Sequence, residues 1–167
     1  MRRADYPRGK WWNVFFLLAT LLVVAADQLS KIWIRSNLAP GESLFELGFF
    51  RIIHIRNSGA AFGLFQGHLF ALMIVGLLGV VAILTYVLFF YRSYPFLDDR
   101  LVKLALGLVL GGTIGNLADR LNPNLAGVTD FIGVGIWPAF NIADSAIVVG
   151  VIMFAYSLLA LARAKKR

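Results

Sequence analysis

The chain has 167 residues, 59% hydrophobic and 15% charged, with a mean hydropathy of +0.76; a soluble domain is nearer half apolar and a quarter charged, so the composition describes one membrane-embedded unit over 1–167. There is no cysteine, and His54 and His68 are the only histidines, which excludes disulfides, thiolate nucleophiles and cysteine metal sites and leaves no histidine pair at metal-ligand spacing, so neither a metal nor another cofactor is expected. The net charge of +7 is carried by short basic clusters beside apolar runs, which fits membrane topology and anionic lipid headgroups rather than nucleic acid.

The first apolar segment covers about 12–34. Its start, "MRRADYPRGK" followed by an apolar run and "VVAAD", has the outline of a secretory signal. The following "DQLSKIWI" keeps the helical pattern and three more spans follow, so the segment reads as an uncleaved helix. An outer connection of about 37–68 comes next. Within it "SLFELGFFRIIHIRN" is rich in Phe and Ile between turn signals, which predicts a short pair of strands at the membrane surface. The Gly-broken "SGAAFGLF" after it predicts a short interfacial helix. The second, third and fourth spans are expected over about 69–91, 101–119 and 141–162, each long enough or nearly so to cross the hydrocarbon core. In the third, Gly107, Gly111 and Gly115 recur every four residues and make a smooth face for a neighbouring helix. The connection "NPNLAGVTDFIGVGIWP" joins the last two spans.

Basic residues set the expected orientation. Arg2, Arg3, Arg8 and Lys10, then Arg92, Arg100 and Lys103, then Arg163, Lys165, Lys166 and Arg167 all fall on one side of the four spans. The other side holds Lys31, Arg35, Arg51, Arg56 and Arg120. Both termini are therefore expected in the cytoplasm.

Four carboxylates, Asp27, Asp119, Asp130 and Asp144, fall at the outer ends of spans or between them. Each has an ordinary explanation. Asp27 and Lys31 are spaced for an intrahelical ion pair. Asn116, Asp119 and Arg120 share a face that can end a helix. Asn141 can cap the last helix while Asp144 reaches back in a capping box. Together, with Asn57 at the same level, they are more than helix ends require. Ionisable groups at membrane depth are costly and mark function, and a buried cluster of them must be hydrogen-bonded. Two close carboxylates cannot both ionise easily, so one keeps a proton. That gives a general base to activate water and a general acid to protonate a peptide carbonyl. Asp130 and Asp144 are the pair expected to do this, with Asp130 on a loop and a Pro138-anchored turn bringing the two face to face.

At these residues the chain resembles bacterial lipoprotein signal peptidase, or signal peptidase II. The stretches that carry the likeness are "DQLSK" (27–31), "RNSGAAFGLF" (56–65), "GGTIGNLADR" (111–120), "VTDFI" (128–132) and "FNIADSA" (140–146), in the family's order, over about 13–162. The resemblance implies an α-helical polytopic fold of four transmembrane helices with a small extracytoplasmic β-cradle between the first two. It implies an inner-membrane aspartic endopeptidase that cuts diacylglyceryl-modified prolipoproteins just before the lipidated cysteine. Asp130 and Asp144 take the catalytic positions, and Asp27, Lys31, Asn57, Asn116, Asp119, Arg120 and Asn141 the supporting ones. It implies inhibition by the cyclic peptide globomycin. Phe62 and Phe140 are among the side chains expected beside the substrate's acyl chains, and a monomer in contact with membrane lipid is the expected form. The competing readings are a carboxylate-based proton- or ion-coupled transporter, a Ser–Lys peptidase using Ser145 or Ser58 with Lys31, and a subunit whose polar cluster only fixes packing.

Overall fold

The structure, a computed structural model, describes residues 11–59, 69–90, 99–125 and 127–164. The interfacial helix expected over "SGAAFGLF" lies almost wholly outside these residues. So do Phe62, Arg2, Arg3, Arg8, Lys10, Arg92, Lys165, Lys166 and Arg167.

Among the described residues there are four long helices, α1 (Trp11–Asn37), α2 (Leu69–Thr85), α3 (Arg100–Leu121) and α4 (Ile142–Ala164), and three strands, β1 (Ser43–Leu47), β2 (Phe50–Asn57) and β3 (Val128–Val134). All four helices are long and apolar enough to cross a membrane. A π-helical turn over Tyr86–Phe90 continues α2. Helix α1 runs through Asp27 and Lys31 without a break, as the apolar periodicity beyond Asp27 predicts.

Glycine decides how the helices meet. A Cβ on Gly107 would come 2.8 Å from the Phe16 carbonyl oxygen, and one on Gly111 2.8 Å from that of Thr20. These two notches let α1 lie directly against α3, and Thr20 uses the closeness to donate to the Gly107 carbonyl at 3.2 Å. Gly112 faces the other way, onto the backbone of Ala143, and Gly150 of α4 meets the Ala105 carbonyl of α3 in return. Helix α3 is thus gripped from two sides. Its glycines at 107, 111 and 115 do more than smooth one face, since Gly112 opens a second.

The sheet is antiparallel, in the order β1-β2-β3. Two of its strands lie where the Phe/Ile-rich connection predicts them. The third does not: the segment carrying Asp130, expected as a loop, is a strand. Its sequence "VTDFIGV" is a β-branched and aromatic run bounded by Gly127 and Gly135, both with positive φ, and that is a strand signature despite the carboxylate in its middle. The register passes from Ile52↔Ile132 to Ile55↔Asp130, so β2 carries one extra residue there, a bulge. The adjacent His54 is buried, and its Nδ1 lies 2.8 Å from the Leu38 carbonyl at the end of α1. Below it Ile34, Leu38 and Phe131 form a small core with Ile52, Ile132 and Ile142.

The return from β3 to α4 sets the site. Gly135, at φ +53°, turns the chain, and the Trp137 amide closes that turn on the Val134 carbonyl at 3.0 Å. The reversal therefore rests on Gly135, with Pro138 following it, rather than on a proline-anchored turn. Phe140 then pairs with Ile132, its carbonyl accepting from Phe131 and Ile132. This lays Asn141 and the first turn of α4 alongside Asp130.

Candidate active site

The polar side chains gather at one end of the helices: the C-terminal part of α1, the C-terminal part of α3, the start of α4, and β3. Asp27, Lys31, Asn116, Asp119, Thr129, Asp130 and Asn141 are all buried. Asp144 is half-buried.

The first layer is ionic. Lys31 Nζ meets Asp27 Oδ2 at 2.8 Å, Asp119 Oδ2 at 3.4 Å and Asn116 Oδ1 at 2.9 Å, so its three donors have three acceptors. Asp27 also uses Oδ1 to accept from the Ala143 amide at 3.0 Å. That amide is one of the unpartnered donors in the first turn of α4, where a negative charge is favoured. Space for this carboxylate exists because residue 115 is glycine: a Cβ there would lie 2.5 Å from Asp27 Oδ2. The ion pair expected from the i,i+4 spacing is present, and it also fastens α1 to α4.

The second layer is made of asparagines, and each has its amide oxygen occupied. Asn116 Oδ1 accepts from Lys31 and from Asn141 Nδ2 at 3.1 Å, which turns its amino group to Asp144 Oδ1 at 2.7 Å. Asn141 Oδ1 accepts from the Asp144 amide at 2.9 Å, and its amino group goes to Asp130 Oδ1 at 2.6 Å. Asn57 Oδ1 accepts from the Gly59 amide, and its amino group goes to Asp130 Oδ2, both at 2.9 Å. Asn57 sits opposite Val128 in the sheet, so Asp130 is its diagonal neighbour on the same face. Asp144 Oδ2 in turn accepts from the Asn141 amide at 3.2 Å. The capping box is therefore real, and it is also part of the cluster.

Asp130 and Asp144 thus each accept two hydrogen bonds, and no described cation pairs with either. Burial, and after it the negative charge of Asp144, push Asp130 from its ordinary 3.8 up to about 7, against the opposing pull of the Asn57 and Asn141 hydrogen bonds and of Lys31. Arg120 lies within electrostatic reach of both carboxylates. Its bonds are long, 3.4 Å to the Asn116 carbonyl and 3.5 Å to that of Gly59, and its Nε is buried with no hydrogen-bond partner among the described residues.

All nine residues singled out in the sequence lie in or beside this cluster. Three more belong to it. Gln28 Nε2 is within hydrogen-bond distance of the Gly115 carbonyl at 2.9 Å, Asp27 at 3.1 Å and Asp119 at 3.3 Å. Thr129 donates its amide to Asp119 Oδ2 at 2.9 Å. Arg35 bonds both Asp119 and Thr129. Arg35 continues the i, i+4 ladder of Asp27 and Lys31, which is the signal that marks it in the sequence.

The arrangement weighs against two competing readings. Ser145 Oγ donates to the Asn141 carbonyl at 3.1 Å, while Lys31 is committed to two carboxylates and an amide, so no described serine is activated by it. A transporter needs ionisable groups along a path through the bilayer, and the buried ionisable groups described here sit at one end.

Fold and cluster together define a polytopic membrane protein with paired carboxylates held at one end of its helices. The sequence profile of signal peptidase (SPase) II matches residues 19–160. A lipoprotein signal peptidase of Dehalococcoides mccartyi is 51% identical over 84% of this chain and 86% of its own, and one of Moorella thermoacetica is 48% identical over 86% and 92%. A bacterial membrane enzyme solved by the in meso method at 2.3 Å superposes with a TM-score of 0.75, at 30% identity over 87% of each chain. A second, at 1.9 Å, has the same TM-score at 29% identity over 92% of this chain and 98% of the other. The chain belongs to the signal peptidase II family, and it is a membrane-embedded peptidase.

Proposed function

We propose that this protein removes the signal peptide from diacylglyceryl-modified prolipoproteins, cutting just before the lipidated cysteine at the outer face of a bacterial inner membrane. Asp130 and Asp144 are the catalytic pair. Asp130, held up near neutrality, keeps the proton that the pair shares. Asp144 takes a proton from water, whose oxygen bonds to the scissile carbonyl carbon while Asp130 protonates the carbonyl oxygen. The tetrahedral intermediate then collapses: the carbon–nitrogen bond breaks, the proton taken by Asp144 leaves on the amine, and the hydroxyl that re-forms the carbonyl returns its proton to Asp130.

The observation that carries this reading is the asparagine pattern: three amides, each locked by its oxygen, aim their amino groups at two carboxylates that meet no cation. Such a layer fixes the carboxylates without neutralising them both. The supporting residues act behind it, Lys31 by orienting Asn116 and Asp27 by holding the start of α4. The distribution of basic residues supports cytoplasmic termini, which sets the cluster at the opposite face, where a lipid-anchored peptide is within reach. One chain supplies every described member of the cluster, which supports a monomer as the active form. Phe140, partly exposed beside β3, borders the substrate's acyl chains, and globomycin competes for the same cleft.

Purified protein in lipid nanodiscs, given a diacylglyceryl-modified prolipoprotein, should release a peptide whose mass ends at the residue before the modified cysteine. An intact substrate after long incubation, or cleavage elsewhere, contradicts the proposal. Globomycin should abolish the release.

A further inference from the structure

Thr129, next to Asp130 in β3, has all its polar atoms committed to three different helices. Its amide donates to Asp119 Oδ2 of α3 at 2.9 Å. Its carbonyl faces Asn141 Nδ2, at the start of α4, at 3.4 Å. Its hydroxyl accepts from Arg35 Nη1 of α1 at 3.1 Å. The same Arg35 nitrogen lies 3.3 Å from Asp119 Oδ1. Consecutive side chains leave a strand on opposite faces, so Arg35 grips the strand from the side away from the Asp130 carboxylate. Neither the backbone ladder nor the asparagine layer reaches the Thr129 side chain: the ladder sets register along β2, and the asparagines meet the Asp130 carboxylate and, through Asn141, the Thr129 carbonyl.

We propose that Arg35 is a positioning residue for Asp130: from the last turns of α1 it fastens Thr129 to Asp119 and so holds the catalytic strand against the helices from behind. This rests on Asp130 being a catalytic carboxylate. The latch is chemically economical, because one nitrogen makes both bonds and the planar fork of the guanidinium is not used. A lysine ammonium, a compact charge with three donors, can therefore replace it in part, and an uncharged methionine, with no donor, cannot. Removal of Arg35 does not strand Asp119, which keeps Lys31, Gln28 and the Thr129 amide, so the variant is expected to fold. A displacement of about 1 Å at a reacting group, caused by a substitution away from it, can slow catalysis about a hundredfold.

The test is steady-state cleavage of the lipid-modified prolipoprotein in nanodiscs by Arg35→Met, Arg35→Lys, Thr129→Val and Arg35→Met/Thr129→Val, each normalised to folded protein, with Asp130→Asn as control. Arg35→Met should lower kcat about tenfold with KM within about twofold, as expected for a group that acts through geometry. Arg35→Lys should recover most of that loss. Thr129→Val should lower kcat by a smaller factor and add nothing in the double variant, because the two side chains form one unit. A lowered melting temperature with unchanged kcat in Arg35→Met would make the contact merely structural and overturn the inference, as would independent, multiplicative effects of the two substitutions. Should Arg35→Met fail to fold, Thr129→Val decides alone: unchanged kcat overturns the latch. Normal cleavage by Asp130→Asn would instead sink the catalytic reading beneath it, whatever the Arg35 variants do.

Discussion

Helices α2 and α3 are both apolar enough to cross a bilayer, but they are built for opposite tasks. Helix α2 is the more hydropathic of the two, and none of its spanning window is buried in the protein. Its side chains Phe70, Val75, Leu77 and Leu78 are exposed, which in a membrane means that they face lipid. Its glycines are loose: a Cβ on Gly76 would find Leu117 at 3.6 Å and one on Gly79 would find Thr113 at 4.0 Å, both ordinary contacts. Helix α3 is less apolar and more buried, with glycines pressed to backbone on two sides and Asn116 and Asp119 at its end. Between helices in lipid there is little hydrophobic gain to be had, so close packing and buried polar bonds must hold the assembly. Helix α3 has both, and this is why the buried polar cluster collects at its end.

The largest effect is expected from the ionic layer. Lys31→Met leaves Asp27 and Asp119 as buried charges without their shared cation, a change that costs about 3–5 kcal/mol in comparable pairs. The yield of folded protein in detergent should collapse, and the thermal midpoint of any that remains should fall by several degrees. Next comes Gly115→Ala. The added methyl displaces the Asp27 carboxylate from the Ala143 amide and shifts the start of α4, so cleavage should drop at least about tenfold. Gly79→Ala, the same chemical change on α2, should leave cleavage within about twofold, and a comparable loss at both glycines would erase the contrast between the helices.

A smaller and pH-dependent effect tests the electrostatics. Asp130 titrates near 7 in the folded protein and near 3.8 when unfolded. Between those values the folded state binds a proton that the unfolded chain does not, so stability falls as pH rises through about 4–7. Asp130→Asn has no such proton to lose. The gap in melting temperature between the variant and the unmodified protein should therefore move in the variant's favour by several degrees from pH 4 to pH 7.5, on top of a pH-independent loss from the donor it sets against Asn57 and Asn141. A gap independent of pH would contradict the raised titration of Asp130.

Much of this was legible in the chain. The spans follow from apolar length, and with the π-helical turn counted as part of the second, their observed bounds lie within about three residues of the expected ones. The carboxylates and asparagines stand out because an apolar chain has few other polar groups. β3 carries a local strand pattern that the carboxylate in its middle disguises as a connection; what no local pattern carries is its partner, β2, about 75 residues distant. The reversal at Gly135 was obscured by Pro138, the more conspicuous turn residue. Gln28 and Arg35 escaped because an amide beside an aspartate, or an arginine near a helix end, is commonplace on a solvated face. Their roles depend on Gly115 and Thr129, which only the packing brings to them. The capping box at "FNIADSA" was predicted correctly and explained too little, since the atoms that cap α4 also aim the carboxylates.

The most direct measurement of the central claim is prolipoprotein cleavage by Asp130→Asn and Asp144→Asn, each first verified as folded by its thermal transition in lipid. Both substitutions keep size while removing the ionisable oxygen, and each turns one of the carboxylate's two accepting atoms into a donor. The dyad predicts that each variant alone reduces cleavage at least about a thousandfold, because base and acid work as one unit. A folded variant of either kind that cleaves within about tenfold of the unmodified rate would contradict it.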